Sequence, residues 1–231
     1  MQTTIGPIVG VVGGSGGVGA STFAAVLAAT ATGPHDSLLV DLDAASGGID
    51  VLLGAEDVPG PRWSGLRLGG GQLEPDVLAE GLPRWSSVAF LAADTLPSPA
   101  AIAQLLRVGR LIGPVVVDLG RWPTPARQAA IDCCDLVVLI ARTDVAAITA
   151  ARAVVRSVAH GSMGAVVRSG RGAGRPQRIA TLLGAPLIGV LPSITRAADE
   201  PLDADALPRA SVRVARGILD AAAATPRAGA A

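Results

Sequence analysis

Residues 13–22 read GGSGGVGAST, directly behind the apolar run IVGVV at 8–12. Two nucleotide-binding signatures fit this stretch. Gly14, Gly16 and Gly19 satisfy G-x-G-x-x-G, the dinucleotide fingerprint, and Asp41 lies about 20 residues further on, where a ribose-binding acid belongs. Gly14, Gly19 and Ser21 also satisfy G-x-x-x-x-G-K-[ST], the P-loop, except that Ala20 takes the lysine position. Five glycines in seven positions leave the backbone free to turn its amides inward, and the turn hands over to a helix N-terminus whose dipole favours an anion. Both signatures therefore point to a bound phosphate.

Three features favour the P-loop. Ser21 and Thr22 follow the last glycine, and a hydroxyl there coordinates magnesium on a nucleotide, for which a dinucleotide site has no use. The second apolar run ends in Asp41-Leu42-Asp43, two carboxylates where the dinucleotide motif needs one. The run VVVD ending at Asp118 has the form of a Walker B strand, with apolar residues followed by one acid at the carboxyl end, where ligands of open α/β sheets bind.

The 231-residue chain is half hydrophobic and only 16% charged, as expected of one well-buried domain, here 1–224, followed by a frayed tail from Thr225. No apolar stretch reaches the roughly 18 residues of a membrane span, and the N-terminus lacks a basic signal-peptide region, so a cytoplasmic protein is expected. Cys133 and Cys134 are adjacent and without spaced partners, which suggests neither disulfide framework nor metal site. Nineteen basic residues balance 19 acidic ones, giving no overall electrostatic attraction to nucleic acid or anionic lipid. All 19 basic residues are arginine and none is lysine. Charge on a phosphate must then come from arginine, metal or backbone.

Apolar runs of four to six residues alternate with helical segments, the pattern of an α/β protein with a mostly parallel sheet of about seven strands and helices on both faces. The expected strands are IVGVV from Ile8, SLLVD from Ser37, VAFLA from Val88, PVVVD from Pro114, LVVLIA from Leu136, GAVV from Gly164 and LIGVL from Leu187. Helices are expected at 20–31, 98–112, 124–133, 144–159, 175–183 and 207–224, with Ser21 or Thr22, Pro99 and Asp144 as starting residues. Residues 55–86 break the rhythm with four prolines, the GGG at 69–71, Trp63 and Trp85, and read as an excursion with short helices.

The segment Ser15-Gly16-Gly17-Val18-Gly19-Ala20-Ser21-Thr22 resembles the deviant Walker A motif of the ParA/MinD family of P-loop ATPases, K-G-G-x-G-K-[ST]-[ST], with both lysines replaced. LLVDLDAASGGIDVLLGAED at 38–57 is similar to that family's element of two acids, a polar loop and a second L-D-x-x-L-G. VVVDLG at 115–120 resembles its Walker B and switch II, and PLIGVLP at 186–192 its last core strand. Within the family, GGSGGVGAST, GGIDVLLGAEDVPG and VVVDLGR look most like actinobacterial CpaE/TadZ-like proteins. Those are encoded beside secretion-ATPase and Flp-pilus genes and are also described as septum-site-determining. Many carry a receiver-like N-terminal domain for which this chain is too short.

The resemblance implies a three-layer P-loop NTPase fold and ATP or ADP bound with Mg2+. Amides from Gly14 to Thr22 would hold the phosphates, Ser21 and Asp118 the metal, and Asp41 and Asp43 would orient water or a switch. In the family, the lysine replaced by Ala20 neutralises the β and γ phosphates, and the one replaced by Ser15 reaches across a dimer to the partner's nucleotide. Each loss could weaken phosphate binding roughly 10- to 100-fold, and hydrolysis more, since phosphoryl transfer depends on neutralising charge in the transition state. Arg121, directly after the switch-like Asp118-Leu119-Gly120, is the first substitute cation, and Arg142 the second. A nucleotide-free scaffold is the alternative.

Other classes fit less well. The histidines of a dinucleotide enzyme would have to be His35 or His160, in a loop and at a helix end. A guanine-specific N-K-x-D element is excluded in its usual form by the absence of lysine. Arg168, Arg171, Arg175 and Arg178 form the one local basic cluster, suited to binding the base or, less readily, DNA. LPRASVRVARGILDAAAA from Leu207 is weakly basic for a membrane-anchoring helix. The expected partners are a second copy of the chain and a protein such as a secretion or pilus ATPase, with recruitment to a pole or septum through such partners.

Overall fold

Each apolar run becomes a strand of one sheet. The computed structural model describes residues 5–31, 37–66, 73–158, 161–169, 175–192 and 200–224. His35, His160, Arg171, the GGG at 69–71 and the tail from Thr225 lie outside the described residues. The strands are β1 (Ile8–Gly13), β2 (Ser37–Asp41), β3 (Arg84–Trp85), β4 (Val88–Leu91), β5 (Val115–Asp118), β6 (Leu136–Ala141), β7 (Met163–Ser169) and β8 (Leu187–Pro192). The helices are α1 (Ala20–Thr30), α2 (Ile49–Leu53), α3 (Pro75–Gly81), α4 (Pro99–Ile112), α5 (Pro125–Cys133), α6 (Val145–Ser157), α7 (Pro176–Leu183) and α8 (Arg209–Ala224), with a 3-10 turn at Trp63–Gly65.

The order across the sheet is β3-β4-β2-β5-β1-β6-β7-β8, and every pairing is parallel except β3 with β4. Strands β1, β2, β4, β5 and β6 are buried at every position, so they read as unbroken apolar runs instead of alternating ones. Alternation survives in the direction of the side chains. Ile8 and Val12 of β1 join a core beneath α3 to α7, while Val9 and Val11 join a second core beneath α1, α2 and α8. The sheet therefore lies between two helical layers.

Among the described residues eight strands are present where about seven were expected. The addition is β3, two residues that return antiparallel onto β4 through a two-residue turn in which Ser86 has a φ of 53°. Nothing in the turn sequence advertises it, since hairpins of this length usually place Gly, Asn or Asp at such a φ. The 55–86 excursion does carry short helical elements, the 3-10 turn and α3. Its tryptophans are anchors: Trp63 Nε1 donates to the Asp41 carbonyl at 2.8 Å, and Trp85 Nε1 to the Leu202 carbonyl at 3.2 Å.

Helix starts follow their local chemistry with one correction. Asp144 accepts the Ala147 amide at 3.0 Å, Ser98 the Ala101 amide at 3.2 Å with Pro99 at the first helical position, and Thr124 the Arg127 amide at 3.1 Å. Neither Ser21 nor Thr22 starts α1. Gly19 is the capping residue, in the left-handed region at φ 84°, so both hydroxyls sit inside the first turn. Among the described residues no helix is long and apolar enough to cross a membrane.

Candidate nucleotide-binding site

The loop after β1 opens a cleft of about 380 Å3 at the carboxyl edge of the sheet, where β1 lies between β5 and β6. Its walls include Ser15 to Thr22, Asp43, Asp118, Gly120 and Arg121. Gly14 fixes the loop's start by donating its amide to the Ile140 carbonyl at 2.8 Å. From Ser15 to Thr22 no described hydrogen bond engages a backbone N–H, and the Phe23 amide, on Gly19 O at 3.0 Å, is the first to close the helix. Gly17 and Gly19 adopt φ of 64° and 84°, which lets successive amides curl into a concave anion nest at a helix N-terminus. The buried Ser15 hydroxyl also has no hydrogen-bond partner among the described residues.

Opposite the loop, Asp118 ends β5 in register with Asp41 of β2. Asp118 is 3% exposed. Burial pushes its carboxyl up to about 7, the neighbouring Asp41 charge adds to the rise, and hydrogen bonds from the Ser21 side chain and the Gly120 amide oppose it. The Ser21 hydroxyl and Asp118 thus meet at the cleft floor, a pair of oxygen ligands of the kind magnesium takes when phosphates and water complete its shell. Among the described residues no group of three or more His, Cys, Asp or Glu side chains could hold a metal by itself. The donor set therefore fits a metal that arrives with a phosphate ligand.

Asp41 is placed differently from Asp43. Its carboxylate accepts the amides of Asp43 at 2.8 Å, Ile49 at 3.2 Å and Ala93 at 3.3 Å, and it is not part of the cleft wall. Burial raises it to about 6, against the lowering by those three amides. Its geometry is that of an anchor for the β2, β4 and α2 ends. Asp43 does line the cleft, with its Oδ1 on the Ala45 amide at 3.3 Å.

Arg121 reaches the loop from the cleft side. Its Nη1 lies 2.8 Å from where a Cβ on Gly16 would stand, so glycine there leaves room for the guanidinium, which also lies 5.8 Å from the Trp122 ring centre. Arg142 pairs with Asp144 at 3.0 Å at the start of α6 and does not line the cleft. Arg168 is likewise outside the cleft wall; its Nε donates to the Val18 carbonyl at 2.9 Å and its Nη1 to the Pro192 carbonyl at 3.1 Å. Desolvation lowers its pKa. Arg175 caps α7 and Arg178 is exposed on it. Sequence reasoning passed over Arg127, which is 2% exposed in α5, donates Nη1 to the Arg121 carbonyl at 3.5 Å, and finds no acceptor for Nε and Nη2 among the described residues. An arginine in the helix following a Walker-B-like acid was the available signal.

No family model matches the chain. An uncharacterized protein found in two strains of Mycobacterium tuberculosis is 40% identical over 205 residues, which cover 84% of this chain and 57% of that protein. The chain thus spans little more than half the length of the curated relatives it matches. Among solved structures, a ParA family ATPase from Chlorobium tepidum superposes with a TM-score of 0.71 at 16% identity, over 94% of this chain and 98% of that one. MinD in a MinC:MinD cell division complex from Aquifex aeolicus gives 0.68 at 22% identity over 93% and 96%. The septum site-determining protein MinD with Mg-ADP from Pyrococcus horikoshii gives 0.65 at 18% over 96% and 99%. The chain shares the fold of ParA/MinD ATPases.

Proposed function

We propose that the chain binds an adenine nucleotide with magnesium in the loop cleft, hydrolyses it slowly or not at all, and acts as a ParA/MinD-like spatial organiser. The observation that carries this reading is the run of unengaged amides from Ser15 to Thr22 facing the Ser21 and Asp118 oxygens. Those amides and the Ser15 hydroxyl would bind the phosphates. Ser21 and Asp118 would hold the metal, which when bound supplies charge neutralisation between phosphate oxygens. Arg121 approaches from the switch side with the mobile charge that Ala20 cannot provide, and Asp43 stands where it could orient a water. With one exposed arginine in place of two lysines, charge developing on a transferring phosphoryl group would be under-compensated.

The MinD neighbours were solved with Mg-ADP and in complex with MinC. By extension, this chain would form a homodimer over the cleft face and dock a protein partner, in the cytoplasm, at a pole or septum, in pilus or secretion-system assembly as for CpaE/TadZ-like proteins. Calorimetry with Mg-ATP tests the central claim. Saturable heat that is abolished in Asp118→Asn supports it, and no heat or melting shift at millimolar nucleotide would leave a nucleotide-free scaffold.

A further inference from the structure

The peptide joining Val18 to Gly19, where the loop turns into α1, is held by a residue 150 positions away. Arg168 stands near the end of β7, and its guanidinium bridges two carbonyls, Val18 through Nε and Pro192 through Nη1. Its Nη2 lies 2.8 Å from where a Cβ on Gly19 would be, so the fork closes against the bare side of that glycine.

A trans peptide points its C=O and N–H in opposite directions, and no described peptide is cis. The Val18 carbonyl is turned out to Arg168, which is not part of the cleft wall, whereas Val18, Gly19 and Ala20 are. The Gly19 N–H must then point back toward the cleft, and no described hydrogen bond engages it. Among the described residues Arg168 forms no ion pair, and it stands behind a loop that has no lysine.

We infer that Arg168 is the positioning residue of the phosphate cradle: it pulls the Val18 carbonyl outward so that the Gly19 amide faces the ligand. It also sets a fixed positive charge behind the loop. The ligand class is the polyphosphate of a nucleoside triphosphate, and the inference rests on the proposed reading of the cleft. In this arrangement Arg168 acts on the phosphates through the Val18–Gly19 peptide.

The test compares Mg-ATP, Mg-tripolyphosphate and adenosine by calorimetry on the wild type, Arg168→Met and Arg168→Lys, with thermal melting as the control for folding. Loss of a charge-assisted contact predicts about 10-fold weaker binding of both phosphate ligands in Arg168→Met, by the same factor, with adenosine unaffected. Arg168→Lys, whose single ammonium can serve only one carbonyl at a time, is expected to fall between the two and decides the matter if the Met variant does not fold. Unchanged affinities overturn the inference, as does weakening of ATP with tripolyphosphate untouched, which would make Arg168 a base contact. If the wild type binds neither phosphate ligand, the phosphate reading itself falls and this inference with it.

Discussion

Replacing Asp118 by asparagine is expected to stabilise the ligand-free protein at pH 7.5 while removing its response to magnesium and nucleotide. The carboxyl is raised from 3.8 to about 7, first by burial and then by the charge of Asp41 across the β2–β5 register. Between those two values the folded state binds more protons than the unfolded chain, so stability is fully present below about pH 4 and is lost as pH rises through about 7. A rise of about three pH units corresponds to something on the order of 4 kcal/mol at neutral pH. Asp41 is raised to about 6, first by burial and further by the Asp43 charge, so its own loss of stability between about pH 4 and 6 persists when Asp118 is replaced. Other shifted groups fall outside this window. Asp94 and Asp144 are held below their usual values and act below about pH 4, whereas the raised Cys133 and Cys134 thiols act above about pH 9. Urea unfolding at pH 4.5, 5.5, 6.5 and 7.5 without magnesium should show the wild type losing stability along the whole series, and Asp118→Asn losing less and only up to about pH 6, where the remaining shift of Asp41 is spent. A gain of roughly 2 kcal/mol for the variant at pH 7.5 is about half of the full effect, since the asparagine amide gives up part of the hydrogen bonding to Ser21 and Gly120. A wild type whose stability is constant or increases with pH across this range would refute the reasoning, as would a variant less stable than wild type at pH 7.5.

Two further substitutions probe the missing lysines. Ala20→Lys places an ammonium at the cleft wall and is expected to tighten Mg-ATP by about 10- to 100-fold in calorimetry; equal or weaker binding would mean that the loop, flanked by Arg121 and Arg168, no longer accommodates a third cation. Arg121→Gln should weaken Mg-ATP about 10-fold with no change in the melting temperature of the ligand-free protein, because the side chain is exposed. Unchanged affinity would remove Arg121 from the site.

The strands were legible because five of them are buried on both faces and so appear as continuous apolar runs. The helices at Asp144 and Ser98–Pro99 were legible because a cap is a local hydrogen bond. Where local chemistry serves two purposes the reading slipped. Ser21 looks like a helix cap, yet its hydroxyl turns to Asp118 and leaves the capping position to Gly19. The two-residue β3 was hidden because its turn carries Ser86 where glycine is usual.

The amino-acid sequence by itself determined the class of fold, the glycine-rich loop and the absence of lysine from it, since glycine spacing, strand-length apolar runs and residue type are all local or countable. Only the tertiary structure decided how the acids and arginines divide the work. Asp41 and Asp43 are two residues apart, yet one is consumed by three amides from three segments while the other faces the cleft. Arg121 and Arg168 carry the same group, yet one reaches over Gly16 and the other ties Val18 from behind. Burial, and contacts between residues 150 positions apart, depend on which strands become neighbours. That is settled by packing two cores against one sheet, and no short window of sequence contains it.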